Sequence, residues 1–208
     1  MRGALAFALW LSLPASAAVS SALASKSVRQ IKSSIVKLAR GTQNGLTADV
    51  ATAAQIVALS RLLEEANPTP NLATSDLVDG KWSLVYTSTS GGSAGKLGPF
   101  VGRVEQHFDI SNGGYSNFVH LGPAGLDMVT GELKAAWNVL GDSDWRVNFM
   151  SISFSLFGLP IVQDKPLNQS GTWRLVFMDD DFRVLWASGG GKQANLYILA
   201  RNGATFES

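Results

Sequence analysis

From Asp76 onward, apolar and polar residues alternate with a period of two, and turn-forming residues recur about every eight to twelve positions. The breaks include SNGG (111–114), LGDSD (140–144) and MDDD (178–181), all rich in residues that favour hairpin turns. This pattern is typical of a sandwich or a barrel of antiparallel strands. Short turns between sequential strands favour an up-and-down meander that closes, because closure removes exposed strand edges.

About eight segments fit this alternation and are predicted to be strands. They are not interrupted by helical segments of about 10–15 residues, which argues against a parallel Rossmann-type sheet. The sequence therefore predicts a mainly β fold. The predicted strands cover residues 81–88, 101–110, 115–121, 131–140, 145–157, 171–178, 182–188 and 194–201.

Residues 26–66 have the periodicity of two amphipathic helices rather than of strands. The first helix is predicted to end at Gly41. The second is predicted to begin after Thr47, whose hydroxyl can cap its first turn, and to end before Pro68. We expect the pair to pack outside the strands, with binding of a separate partner as the alternative. The predicted buried stripes are Val28, Ile31, Ile35 and Leu38, then Val50, Ala53, Ile56, Val57, Leu59 and Leu63.

The first 25 residues are interpreted as a targeting segment, with a retained interfacial helix as the alternative to a removed signal peptide. Arg2 provides a basic start, and the apolar run at 4–14 is shorter than the ~20 residues that span a bilayer. A stretch rich in Ser, Ala, Lys and Arg without acids follows, as in organellar transit peptides. The predicted organisation is a signal or transit peptide at 1–25, a helical segment at 26–70 and a barrel domain at 76–208.

The composition restricts the chemistry of the chain. With 17 basic and 16 acidic residues, it has no strong field to attract nucleic acid. The absence of cysteine excludes disulfides, thiol nucleophiles and Cys-ligated metals. The two histidines, His107 and His120, have no nucleophile-elbow serine or pair of strand carboxylates to accompany them. The sequence therefore predicts no enzyme, no metal site and no cofactor.

Large apolar side chains are frequent on the predicted strands, and they suit either a filled barrel or one that lines a ligand cavity. In a hollow barrel, Tyr86 or His120 could orient the head group of an apolar ligand. The apolar tip at 156–162 is expected either to contact lipid at a barrel mouth or to be covered by the helices. The candidates for cavity lining are Leu84, Tyr86, Phe108, His120, Leu175, Phe177, Val184 and Trp186.

Four segments in order resemble the plastid lipid-associated proteins, also called fibrillins. They are LLEEANPTPN (62–71), LVDGKWSLVYTSTS (77–90), GTWRLVFMDDDFRVLWASGG (171–190) and LYILAR (196–201). The resemblance begins near Val28 with a leading helical segment that includes IVKLARGTQNGLTA. It implies a lipocalin-like barrel that binds a carotenoid, a prenylquinone, a fatty acid or another plastid lipid. It also implies attachment to the surface of a plastoglobule or thylakoid.

The resemblance also implies roles for particular residues. Gly80 and Trp82 resemble the lipocalin Gly-x-Trp signature, in which the tryptophan closes one barrel end and an arginine of the last strand, here Arg201, stacks over it. Asp181 and Arg183 match an acid–Arg element of the family. Two departures are that Trp186 stands where many members have arginine, and that the leader begins as a secretory signal. Such a leader suits a plastid reached through the endoplasmic reticulum.

The predicted function is thus non-catalytic binding or sequestration of a hydrophobic plastid lipid or isoprenoid. One alternative is a coat or scaffold protein of plastid lipid particles, with a filled barrel and no stoichiometric ligand. The other is a lipocalin-type enzyme acting on isoprenoids, which the missing acid–base set disfavours.

Overall fold

The computed structural model describes residues 27–123, 126–189 and 193–206, so the predicted targeting segment lies outside the described residues. The described chain begins with two helices, α1 (Val28–Ala39) and α2 (Val50–Glu65). Within the described ranges, no helix has the length and apolar character needed to cross a membrane.

Eight antiparallel strands follow and close into a barrel. Each strand pairs with its neighbour in sequence, and the first pairs with the last, so the barrel has no free edge. The prediction of a mainly β fold, with a closed barrel of about eight strands after a helical pair, is confirmed. The barrel strands are β1 (Gly80–Thr87), β4 (Arg103–Asp109), β5 (Gly114–Leu121), β6 (Val129–Val139), β7 (Asp144–Leu156), β8 (Leu159–Met178), β9 (Phe182–Gly189) and β10 (Asn195–Arg201), while β2 (Lys96–Leu97) and β3 (Phe100–Val101) form a separate hairpin.

Strand β8 begins at Leu159, well before the predicted start at residue 171. Its first half contains Pro160 and Pro166 and is largely exposed on both faces, so it has no alternation of apolar and polar residues. Its pairing with β7 also shifts register at several points. The β7–β8 hairpin is the longest in the barrel. The first half of β8 has no sequence pattern that identifies it as a strand.

The start of α2 differs from the prediction. Its cap is Asp49, whose carboxylate accepts a hydrogen bond from the Thr52 backbone N–H at 2.7 Å, whereas the Thr47 hydroxyl faces the Gly41 carbonyl. Val50 is 88% exposed and does not belong to the buried side of the helix. A carboxylate replaces the hydroxyl as the cap because the chain enters the helix two residues later than predicted.

The helical pair packs on the outer surface of the barrel. Ile31 and Ile35 of α1 and Ile56 of α2 are buried in one cluster with side chains from β1, β8, β9 and β10. A separate apolar cluster occupies the barrel interior. Where the helices cover them, these four strands are therefore buried on both faces, by the interior on one side and by the helices on the other.

Candidate ligand-binding site

Trp82 closes the lower end of the barrel, where β1 begins. Its indole is fully buried, and its Nε1–H donates to the Val78 carbonyl at 2.9 Å. The guanidinium carbon of Arg201 lies 4.3 Å from the ring centroid, and that of Arg183 lies 4.7 Å away. Arg201 also donates to three backbone carbonyls of the adjoining turns. Cation–π contacts and charge-assisted hydrogen bonds thus hold this end shut.

Aromatic rings fill the lower half of the barrel above Trp82. Phe108 stacks on Tyr115 with 4.7 Å between centroids, and Trp145 lies 5.8 Å from Phe108 and 6.3 Å from Trp173. The Trp145 Nε1–H donates to the Ala73 carbonyl at 2.8 Å, which joins this cluster to the 3₁₀ turn beneath the barrel. Because these large rings pack against one another, the lower half is a solid core.

The upper half of the barrel is hollow. A cavity of about 240 Å³ lies above Tyr115 and Trp173, and a compartment of about 350 Å³ adjoins it along β6 and β7. Among the described residues, the lining of the first cavity contains amides, hydroxyls and apolar groups but neither carboxylates nor basic groups. Its side chains come from Thr89, Ser93, Gln106, Tyr115, Asn117, Leu133, Phe149, Trp173, Ala187, Ser188, Gln193, Asn195 and Tyr197.

The connection between β1 and β4 borders the open end of this cavity. It is held by Asn44, from the loop between the helices, whose Nδ2 donates to the carbonyls of Ala94 and Gly102, each at 2.9 Å. The Asn44 carbonyl in turn accepts from the Thr87 backbone N–H at 2.9 Å. The helical pair therefore positions one side of the cavity mouth as well as covering the wall.

The PAP_fibrillin family model matches residues 29–166, from α1 into the first half of β8. The chain belongs to the PAP_fibrillin family. It is 43% identical over 65 residues to a "Plastid-lipid-associated protein, chloroplastic" from Citrus unshiu, which covers 31% of this chain and 20% of the relative. It is 36% identical over 62 residues to a "Probable plastid-lipid-associated protein 5, chloroplastic" from Arabidopsis thaliana, covering 30% of this chain and 26% of the relative. The chain thus matches about a quarter or less of the length of these relatives.

Within this PAP_fibrillin barrel, three predicted cavity residues lie in the interior cluster. Phe108 and Leu175 are buried in the solid lower half, and Leu84 packs partly buried against the same cluster. None of the three lines the hollow upper half. The cavity begins above them.

Four other predicted cavity residues face away from the interior. Tyr86, Phe177 and Val184 are buried in the cluster beneath the helices, and Trp186 packs against it. The expectation that they line the cavity is therefore wrong. Irregular registers between Leu84 and Tyr86 in β1, and between Leu175 and Phe177 in β8, reverse the inward alternation at these points.

His120, the eighth predicted cavity residue, lies on the outer wall. Its Nδ1 is 2.9 Å from an Asp127 carboxylate oxygen, and its ring stacks on Phe118 with 5.7 Å between centroids. Val119, its neighbour in β5, lines the adjoining compartment instead. The suggestion that His120 orients a ligand head group is therefore wrong, because alternation along β5 turns it outward.

The acid–Arg element of the sequence does not form an ion pair. Asp181 binds Lys32 of α1 together with Asp179, whose Oδ2 lies 2.8 Å from the Lys32 ammonium. Burial lowers the pKa of Lys32, but hydrogen bonds to both carboxylates outweigh this effect and raise the pKa above its ordinary value. Arg183 points into the barrel instead, where it donates to Gln106. The acids thus attach the helices to the barrel, and the arginine lies in the interior.

Sequence reasoning missed the residues that line the cavity, above all Gln106, Asn117 and Tyr197. A signal for Gln106 was present, since it stands two residues before Phe108, which was expected to face inward, and alternate residues of a strand share a face. Polar amides in strand interiors are unusual in a filled core, so they indicate a wetted or ligand-contacting wall.

Proposed function

We propose that this protein binds or sequesters a hydrophobic plastid lipid or isoprenoid, of the carotenoid, prenylquinone or fatty-acid class, without catalysis. The observation that carries the proposal is the division of the barrel into a solid lower half and an open upper cavity of about 240 Å³ with its neighbour of about 350 Å³. Ligand cavities of proteins typically measure ~300–1,000 Å³. Burial of apolar ligand surface at ~25 cal/mol per Å² would drive binding.

The two relatives support a plastid lipid environment for this protein. Both relatives carry names that associate them with plastid lipids and with the chloroplast. We infer the same compartment and a general association with lipid for this chain. The amides, hydroxyls and apolar groups that line the first cavity suit the binding of an apolar molecule with a polar head.

A substitution that fills the cavity should remove its ligand. Ala187 is half-buried in the cavity wall and is the cross-strand partner of Trp173 on the neighbouring strand. Ala187→Phe would therefore place a ring in the hollow space. We expect the lipid that co-purifies with the protein from its own plastids, measured by mass spectrometry, to fall at least about tenfold, while stability changes by less than about 1 kcal/mol.

The control is Arg174→Phe, which adds the same ring to the exposed outer face of the adjoining strand. It should retain the co-purified lipid. The proposal fails if the native protein carries no stoichiometric lipid, and a coat function then replaces it. It also fails if Ala187→Phe retains as much lipid as the control.

The exposed apolar residues of the mouth support docking on the surface of a plastoglobule or thylakoid. Phe100, Leu126 and Met128 lie on two connections at the open end, and the β7–β8 tip adds Leu156, Phe157, Leu159 and Ile161. The helices do not cover this tip, contrary to one of the two expectations. These exposed apolar side chains lie on several separate connections at the same end of the barrel, which favours an extended lipid surface as the occupant. Exposed apolar residues at the mouth would also be expected of a coat protein that attaches to lipid particles without a stoichiometric ligand.

Removing two side chains of this apolar rim should weaken lipid binding. Phe157→Ser combined with Leu159→Ser removes side chains that are 62% and 72% exposed. Since each buried side chain contributes ~1.5–3 kcal/mol, we expect the fraction bound to neutral galactolipid vesicles, measured by flotation, to fall at least about tenfold.

The matched control uses the opposite end of the barrel. Val139→Ser with Leu140→Ser removes two apolar side chains that are 47% and 55% exposed there. This pair should leave vesicle binding unchanged. Equal losses from both pairs would show that general hydrophobicity, and not the rim, determines attachment.

A further inference from the structure

Arg183 carries a buried charge that the described protein does not neutralise. Its side chain is 0% exposed. One guanidinium nitrogen, Nη2, donates to Gln106 Oε1 at 2.7 Å, while Nε and Nη1 have no hydrogen-bond partner among the described residues. The faces of Trp82 and Phe108 lie 4.7 and 4.6 Å from the guanidinium carbon. Aromatic faces offset part of the desolvation of a cation, but they accept no conventional hydrogen bonds.

The electrostatic surroundings of Arg183 favour an added negative charge. Burial, together with nearby Arg201, lowers the pKa of Arg183 to about 9, although Tyr115 acts in the opposite direction. The group therefore remains cationic at neutral pH. A buried cation without a carboxylate partner is unfavourable, and an anion brought to it is stabilised by the low local dielectric.

Gln106 connects this charge to the cavity. An arginine can only donate hydrogen bonds, so its contact with Oε1 requires the amide oxygen of Gln106 to face Arg183. The amide NH₂ is then left as a donor on a residue that lines the cavity. Tyr115 lines the same floor, and burial raises the pKa of its phenol further above the ordinary value, so the hydroxyl stays protonated. The floor thus presents donors backed by a cation.

We propose that the ligand is a long-chain carboxylic acid, bound with its carboxylate on Gln106 and Tyr115 above Arg183 and its chain toward the apolar rim. The inference rests on the proposed function, since it assigns a head group to the ligand of that cavity. The carboxylate supplies the missing negative charge, and the donors of the floor orient it. The chain then follows the apolar side of the cavity, past Leu133 and Phe149.

The experiment compares hexadecanoate with hexadecanol, which have the same chain but different heads, by titration calorimetry on the delipidated full chain. The native protein should bind the acid about ten- to a hundredfold more tightly, as expected for hydrogen bonds to a charged group. Arg183→Met should remove this preference and retain binding of the alcohol. Arg174→Met, which removes an equal charge from the exposed outer face, should preserve the preference.

Each other outcome contradicts the proposal in a distinct way. Equal binding of acid and alcohol by the native protein overturns the carboxylate assignment and leaves the hydrophobic cavity function intact. Binding of neither probe also overturns the carboxylate assignment, whereas the cavity function falls only if the native protein carries no stoichiometric lipid from its plastids. A preference that persists in Arg183→Met shows that another group recognises the head. Should Arg183→Met fail to fold, Arg183→Lys keeps the charge, and loss of its preference for the acid would likewise contradict the proposal.

Discussion

Trp82→Ala is expected to lower the free energy of unfolding by about 3–5 kcal/mol, as large-to-small changes of buried tryptophan do. The indole is fully buried, donates to the Val78 carbonyl and lies against the guanidinium groups of Arg183 and Arg201. Its removal leaves a void at the closed end and takes an aromatic face from two cations. Urea unfolding followed by circular dichroism measures the change.

Trp82→Phe is the control for this position. It retains an aromatic face for the arginines but removes the hydrogen bond to Val78. We expect it to lose less stability than the alanine variant. An alanine variant within about 1 kcal/mol of the native protein would show that the closed end of the barrel does not depend on this residue.

Gly45→Ala should also destabilise the protein strongly, by about 2–5 kcal/mol from backbone strain and overpacking together. Gly45 has a φ of +103°, and a Cβ at this position would lie 2.1 Å from the Thr87 carbonyl oxygen. A backbone atom of β1 cannot yield as a flexible side chain would. The loop between the helices would therefore separate from the barrel, together with the Asn44 contacts that hold the β1–β4 connection.

Gly41→Ala separates the two causes, because Gly41 has a φ of +80° in the same loop but nothing within 4 Å of an added Cβ. It should show only the conformational strain, about 1 kcal/mol. Thermal unfolding of both variants measures the difference. Equal losses would mean that the approach of Gly45 to Thr87 contributes nothing beyond its backbone conformation.

The number, order and approximate bounds of the barrel strands could be predicted because each depends on local alternation and turn chemistry. The first half of β8 was missed because it lacks this alternation. Pro160 and Pro166 belong to the strand because their segment pairs with β7. This pairing joins two strands, so the sequence of the β8 segment alone does not reveal it. Local propensity alone predicts no strand there.

The direction of side chains was predictable only where one strand face meets solvent. In β4, the alternation placed Phe108 inward, as observed. In β9, both faces are buried, because the helices cover the outside, and so Arg183, Val184 and Leu185 are all buried. Apolar residues on both faces remove the contrast that identifies the interior. The sequence therefore offered no reason to turn an arginine inward.

By itself, the sequence determined a closed antiparallel barrel with a helical pair on its outside, since these follow from periodicity and turn residues along the chain. Only the tertiary structure decided which half of the barrel is solid and where its cavity lies. The irregular registers in β1 and β8 reverse the facing of Tyr86 and Phe177, and register depends on partner strands far away in sequence. The position of Arg183 beneath the cavity follows from the same long-range pairing.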